Sequence, residues 1–302
     1  MSNQKIKRFK QDKFYYSFSP LHEPTLRVKS GETLVIEVPD AFEGKVKTEK
    51  DKIPTAMNPM TGPIYVEGAE KGDALVIDIK DIKLTGDIGV SVLLNDTDLL
   101  NNMLLFQEPM LGVKMIPIKN DKISFVGMKT PSVPCEPSIG CIGTAPENET
   151  ILTDYAGPYG GNMDTPDICI GARLFLPVNV PGGLLVLGDV HAIEGSGELF
   201  AVDISAEITL TINLLKQKRI NWPRIETSDY IMTVISASPI RDAIWIAYKE
   251  MLLWIEDEYK LDKWDAYQLC TQGAVIQLSK IAPPTPTITV KFPKKYLPTK
   301  RI

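Results

Sequence analysis

A mainly β fold is predicted: a sandwich- or barrel-like body over residues 1–235 and a smaller C-terminal α+β part over 236–302. Three observations predict it. Apolar runs before residue 236 are short, bounded by Gly, Pro or Asn, and several alternate with a period of two. Few segments before residue 238 hold a helical period for long. Beyond Ser236 the pattern becomes helical, with no low-complexity linker at the change, so the two parts are read as tightly joined.

In chain order, Val28, a turn at Ser30-Gly31 and alternation over Thr33 to Val38 make the first clear strand, ended by Pro39-Asp40. His22 precedes it in a loop fixed by Pro20 and Pro24 and is read as a loop residue rather than a ligand. Residues 51–62 are punctuated by proline and read as loop. The pattern recurs over Gly62 to Ile82, with a turn at Lys71-Gly72-Asp73 and apolar residues at Leu75, Ile77 and Ile79. A third version covers Leu176 to Asp189, with Pro181-Gly182-Gly183 as the turn and Leu184 to Leu187 as a buried strand. The three units share a shape but no fixed period. Residues 90–125 continue in short apolar runs. The block Cys135 to Pro146 is read as a tight loop, too rich in Gly and Pro for a helix or a regular strand.

Ser238-Pro239 opens a helix that runs to Lys260, with Ile240, Ile244, Ala247, Met251 and Trp254 along one stripe. A second helix is predicted from about Lys263 to Lys280, stopped by Pro283-Pro284, and Thr287 to Phe292 reads as a last strand. These two helices are the expected hairpin.

Composition narrows the function. The chain is 44% apolar and 24% charged, ordinary for a globular protein, and its formal charge of −5 argues against nucleic acid or an anionic membrane surface as the main partner. No apolar run approaches the roughly 18 residues of a membrane span. The opening M-S-N-Q-K-I-K-R-F-K carries charge with no apolar stretch behind it. A secretory signal is therefore not expected, and the cytoplasm is the expected compartment. Four cysteines form no C-x-x-C pair. With only two histidines, a three-histidine metal site cannot be built, so any metal must be held mostly by oxygen.

The polar residues of interest lie between Asp154 and Glu207, where Asn162, Asp164, Asp167, Asp189, His191, Glu194 and Glu198 fall in the joints between apolar runs. They are expected at strand ends and turns. Asp189-x-His191 puts two hard ligands on one side of an extended strand end. The Gly195-Ser196-Gly197 turn can fold Glu198 back toward them, and Asp164 follows a glycine loop able to approach closely. Such a set suits a metal that activates water. On spacing alone, the plainer reading stands ahead of it: acids that cap turns, around a hydrogen-bonded histidine. Cys141, with Glu136 nearby, is a second candidate nucleophile, although no basic residue lies close in sequence to lower its pKa.

Four stretches together resemble the acetamidase/formamidase family. They are G-P-I-Y-V-E-G-A-E-K-G-D-A-L, P-S-I-G-C-I-G-T-A-P-E, G-P-Y-G-G-N-M-D-T and L-P-V-N-V-P-G-G-L-L-V-L-G-D-V-H-A-I-E-G-S-G-E. The pairing of G-G-N-M-D with G-D-x-H-A-x-x-G-x-G-E carries the resemblance, which spans nearly the whole chain; the G-G-S-S loop of the amidase-signature enzymes is absent. The resemblance implies a mainly β fold, hydrolysis of formamide or acetamide to ammonia and a carboxylate, and a homodimer or larger homo-oligomer. It also implies a bound divalent ion, zinc or alternatively calcium. Carried over by position, Asn162, Asp164, Asp189, His191 and Glu198 match the family's polar motif residues, and Asp40 matches another. The expected ligands are Asp189, His191, Asp164 and Asp40, with Glu198 as general base and His191 and Asn162 as the other catalytic groups. The remaining alternative is a binding module for a small polar ligand or sugar.

Overall fold

In a computed structural model, residues 6–93, 112–125, 127 and 129–299 are described, so part of the stretch read as short apolar runs lies outside the described residues. Two nine-stranded sheets face each other across one core. The alternation read in the sequence decides which side chains enter that core. In the strand Glu32–Val38, Leu34, Ile36 and Val38 are buried. Opposite them, in the antiparallel strand Ala206–Leu215, Leu210 pairs with Leu34 and Ile208 with Ile36. Facing pairs of branched apolar side chains are the stabilising unit of a sheet. Ile77 and Ile79 of the strand Ala74–Leu84 continue the layer. The second sheet closes the sandwich with Ile64, Ile139, Ile142, Leu185, Leu187 and Val190.

The C-terminal part extends this architecture. The strand Tyr230–Ser236 pairs along its length with Thr287–Pro293, which pairs in turn with an edge strand, Val275–Lys280, so the first sheet runs on past residue 236. The helix Ile240–Tyr259 lays Ala243, Ala247, Met251, Trp254 and Ile255 on Ile231, Ile235, Ile288, Val290 and Phe292. Ala247, Met251 and Trp254 of the expected stripe are buried and Ile244 partly so, while Ile240 is exposed. No helix among the described residues is long and apolar enough to cross a membrane.

Two expectations about elements are corrected. The second helix covers only Lys263–Gly273, and Val275–Lys280 is a strand. Gly273 and the β-branched Val275-Ile276 weaken helix there, while Thr287–Lys291 offers a ladder of hydrogen bonds that a helix would forgo. The block read as a loop contains a fully buried strand, Ser138–Gly143, beside the strand Leu185–Ile193. Its glycines admit close neighbours: a Cβ on Gly143 would sit 2.8 Å from Tyr159 O.

Candidate active site

Asp189 and His191 lie inside the strand Leu185–Ile193, not at its end, and that strand is buried almost throughout. On one edge the strand changes neighbours, pairing Leu187 with Thr61 and then His191 with Asp203. Asp189 falls in the interval with φ +56°, and Asp164, just past the strand Gly160–Asn162, has φ +39°. Left-handed backbone at a residue other than glycine is strained and persists where surrounding structure imposes it, often at functional sites.

The side chains converge on one imidazole. His191 Nε2 lies 3.5 Å from Asp203 Oδ1, 3.6 Å from Asp189 Oδ1 and 4.0 Å from Asp164 Oδ1. Its Nδ1 lies 3.1 Å from Glu194 Oε2. The expectation that Asp189 and His191 face the same way holds. Lys280, on the C-terminal edge strand, places Nζ 2.6 Å from Asp164 Oδ2 and donates to the backbone carbonyl of Asn162 at 3.2 Å. The Asn162 side-chain oxygen accepts from Asn58 Nδ2. Glu198 is held by its backbone: its N–H donates to Ser279 O, and its carbonyl accepts from Ile281 and Ala282. All but Glu194 line one cavity of about 460 Å³, with Asn162, Asp164, Asp189, His191, Glu198, Asp203 and Lys280 among its polar residues.

Charge in this pocket is unbalanced. Five buried carboxyls (Asp164, Asp189, Glu194, Glu198 and Asp203) face one imidazole and one ammonium. Burial, reinforced by neighbouring acids, pushes Asp164 up to about 6 and Glu198 up to about 9, and raises Asp203 well above the carboxylate range. His191 is raised well above its ordinary value: burial pulls it down, but Glu194 and Asp189 outweigh that pull. Raised acids clustered around too little positive charge are a set of groups able to take a cation.

Local geometry fits one. Asp164 Oδ1 is buried without a hydrogen-bond partner. Gly140 leaves the space beside it open, since a Cβ there would lie 2.6 Å from that oxygen and 2.8 Å from His191 Nε2. Ligands about 2.1 Å from a tetrahedral ion stand about 3.4 Å apart, close to the Nε2–aspartate separations. Asp164, His191 and Glu194 form one candidate ligand group and Asp189, His191 and Asp203 another. Asp40 belongs to neither; its Oδ1 accepts from the N–H groups of Phe42 and Gly44 and so caps its own turn.

The other sequence candidates find plainer roles. Cys141 is fully buried against Phe18, Met60, Tyr159 and Val186, and burial pushes its thiol far up, so no thiolate is available for attack. Glu136 is exposed. His22 accepts or shares a proton with Ser17 Oγ at 2.9 Å and stacks on Tyr15, a loop histidine as expected. Asp167 pairs with Lys291 at 2.6 Å, away from the imidazole cluster. Asp203 and Lys280 were not singled out by sequence. Asp203 lies in V-D-I-S-A-E, where an acid at a strand end is unremarkable. A strand reading of V-I-Q-L-S-K would have flagged Lys280 as a cation inside a sheet.

A model of the Acetamidase/Formamidase family matches residues 3–156 and 155–239. A crystal structure of an acetamidase from Yersinia enterocolitica superposes with a TM-score of 0.87 at 32% identity, over 95% of this chain and 90% of that one. An acetamidase structure from Bacillus halodurans gives the same TM-score and identity over 96% and 98%. A formamidase of Methylophilus methylotrophus is 25% identical over 247 residues, 63% of this chain. The chain spans 61% of that curated relative's length.

Proposed function

Since this chain belongs to the acetamidase/formamidase family, we propose that it hydrolyses a carboxamide to ammonia and the carboxylate in the cavity around His191. The observation that carries the reading is the convergence of three aspartate oxygens on His191 Nε2, with Asp164 Oδ1 left unpartnered beside Gly140.

His191, Asp189, Asp203 and Asp164 would hold a divalent ion. Zinc suits a set that includes an imidazole nitrogen, whereas calcium takes six to eight oxygens. When bound, such an ion lowers the pKa of a water and polarises a carbonyl. The chain's own residues do the rest. Glu194 Oε2 lies 3.1 Å from Nδ1, where a carboxylate behind a ligating histidine would take the Nδ1 proton in a hydrogen bond and leave Nε2 to the ion. Lys280 holds Asp164 through Oδ2 and leaves Oδ1 free. Asn58, by donating to Asn162 Oδ1, leaves the Asn162 NH₂ to meet the amide carbonyl. Glu198 receives a proton from the attacking water and returns it to the departing nitrogen. Its carboxyl, raised to about 9 mainly by burial, would fall toward working pH beside a bound divalent ion.

Metal analysis of the purified protein, joined to ammonia release from a panel of amides before and after chelation, tests the reading. His191→Ala should lose the metal and the activity together. Full metal occupancy in that variant would remove His191 from the ligands.

A further inference from the structure

The polar cluster is only part of the cavity lining. Phe42, Met57, Leu152, Tyr155, Leu199 and Phe200 line the same cavity. Three of these are large side chains left open to solvent: Leu152 is 56% exposed, Tyr155 44% and Phe200 37%. Single exposed apolar residues need no explanation, but several gathered on the concave wall of a reactive site mark a surface awaiting an apolar ligand.

Size points the same way. At roughly 30 Å³ for each water-sized group, about 460 Å³ takes on the order of fifteen such groups. Formamide has three heavy atoms and acetamide four. Either would meet the acidic floor and leave most of the apolar wall wet. The charge of the floor narrows the choice further. Asp154 also lines the cavity, which with Asp164, Asp189, Glu198 and Asp203 presents five carboxyls, so an acyl group carrying its own carboxylate would meet repulsion.

Resting on the amide-hydrolysis reading, we infer that the preferred substrate is a primary amide with an uncharged, apolar acyl group much larger than acetyl, a linear chain of about four to six carbons or an arylalkyl group. Its carboxamide sits against Asn162 and the His191 cluster, and its hydrocarbon part covers Leu152, Tyr155 and Phe200. Formamide and acetamide fill only the inner end of the cavity.

The test measures ammonia release by the protein as purified, with its metal, on formamide, acetamide, butyramide, hexanamide, phenylacetamide and succinamate. Each buried methylene is worth up to about fourfold in kcat/KM. Because one side of the cavity is open, hexanamide should exceed acetamide by at least about tenfold, and succinamate should be the poorest substrate of its length. Leu152→Ser and Phe200→Ser, both at exposed positions, should each lower the hexanamide-to-acetamide ratio several-fold. A kcat/KM that peaks at formamide or acetamide and falls with each added carbon would overturn the inference and leave amide hydrolysis standing. A hexanamide preference unmoved by both wall variants would overturn the assignment of this wall. Ammonia from none of the six would overturn the hydrolysis reading and this inference with it.

Discussion

Gly140→Ala places one methyl group at the centre of the site. Gly140 lies in the buried strand Ser138–Gly143 and its φ is not in the left-handed region, so alanine meets no backbone strain there. The perturbation is purely steric. The new Cβ would stand 2.6 Å from both Asp164 Oδ1 and His191 Cε1, and ordinary contact begins at 3.4 Å, so these groups must give way by 3.4 − 2.6 = 0.8 Å. Neither moves freely. Asp164 is tied to Lys280 through Oδ2, and the His191 ring is packed among Asp189, Glu194 and Asp203. Overpacking of this size costs about 1–3 kcal/mol of stability. A displacement near 1 Å in a reacting constellation costs on the order of 10²-fold in rate. The expected outcome is a folded protein, less stable by that amount in urea unfolding, with kcat/KM down about 100-fold and metal content reduced. Gly143→Ala on the same strand is the control. It also overpacks, at 2.8 Å from Gly161 N and Tyr159 O, but away from the imidazole. It should lose stability and keep its rate per folded molecule. Wild-type kcat/KM in Gly140→Ala, or an equal rate loss in both variants, would refute the placement of the reaction at Asp164 and His191.

Three further outcomes are expected. Glu198→Gln keeps size and an acceptor but cannot take a proton; kcat should fall roughly 10²–10⁴-fold with metal content and melting temperature near wild type, and loss of metal would instead make Glu198 a ligand. Lys280→Met leaves the buried Asp164 carboxylate without its partner and should lower stability by on the order of 3 kcal/mol, most of it recovered in Lys280→Met/Asp164→Asn; a double variant no better than the single one would show that the pair is not coupled. For Asp73, burial pushes the carboxyl up, but Lys216 and the N–H groups of Gln217 and Glu70 outweigh it and hold the group below the usual carboxylate range. Its stabilising contribution is therefore present above the unfolded pKa near 3.9 and lost as pH falls through the lower folded value. Asp73→Asn should cost about 1–2 kcal/mol at pH 7, measured by urea unfolding, and progressively less below about pH 4; a pH-independent difference would refute the assignment.

Sequence by itself determined what depends on neighbours along the chain. The strand Glu32–Val38 and the alternation through Ile77 and Ile79 were legible because side chains in a strand change face at every residue, and the core took the apolar ones. The same period placed Asp189 and His191 on one side. Motif order identified the family and the loop that carries Asn162 and Asp164. Tertiary structure decided everything that required distant segments to meet. Whether Val275–Lys280 is helix or strand depended on a partner strand twelve residues on, and only as a strand does it bring Lys280 to Asp164. Asp203 and Lys280 carry no local sign of function. Their roles come from burial around one imidazole, where water no longer screens their charges and each acid raises its neighbours. Gly140 shows the limit most clearly. In sequence it makes a strand look like a loop; in the fold its missing Cβ is the space in which Asp164 and His191 come together.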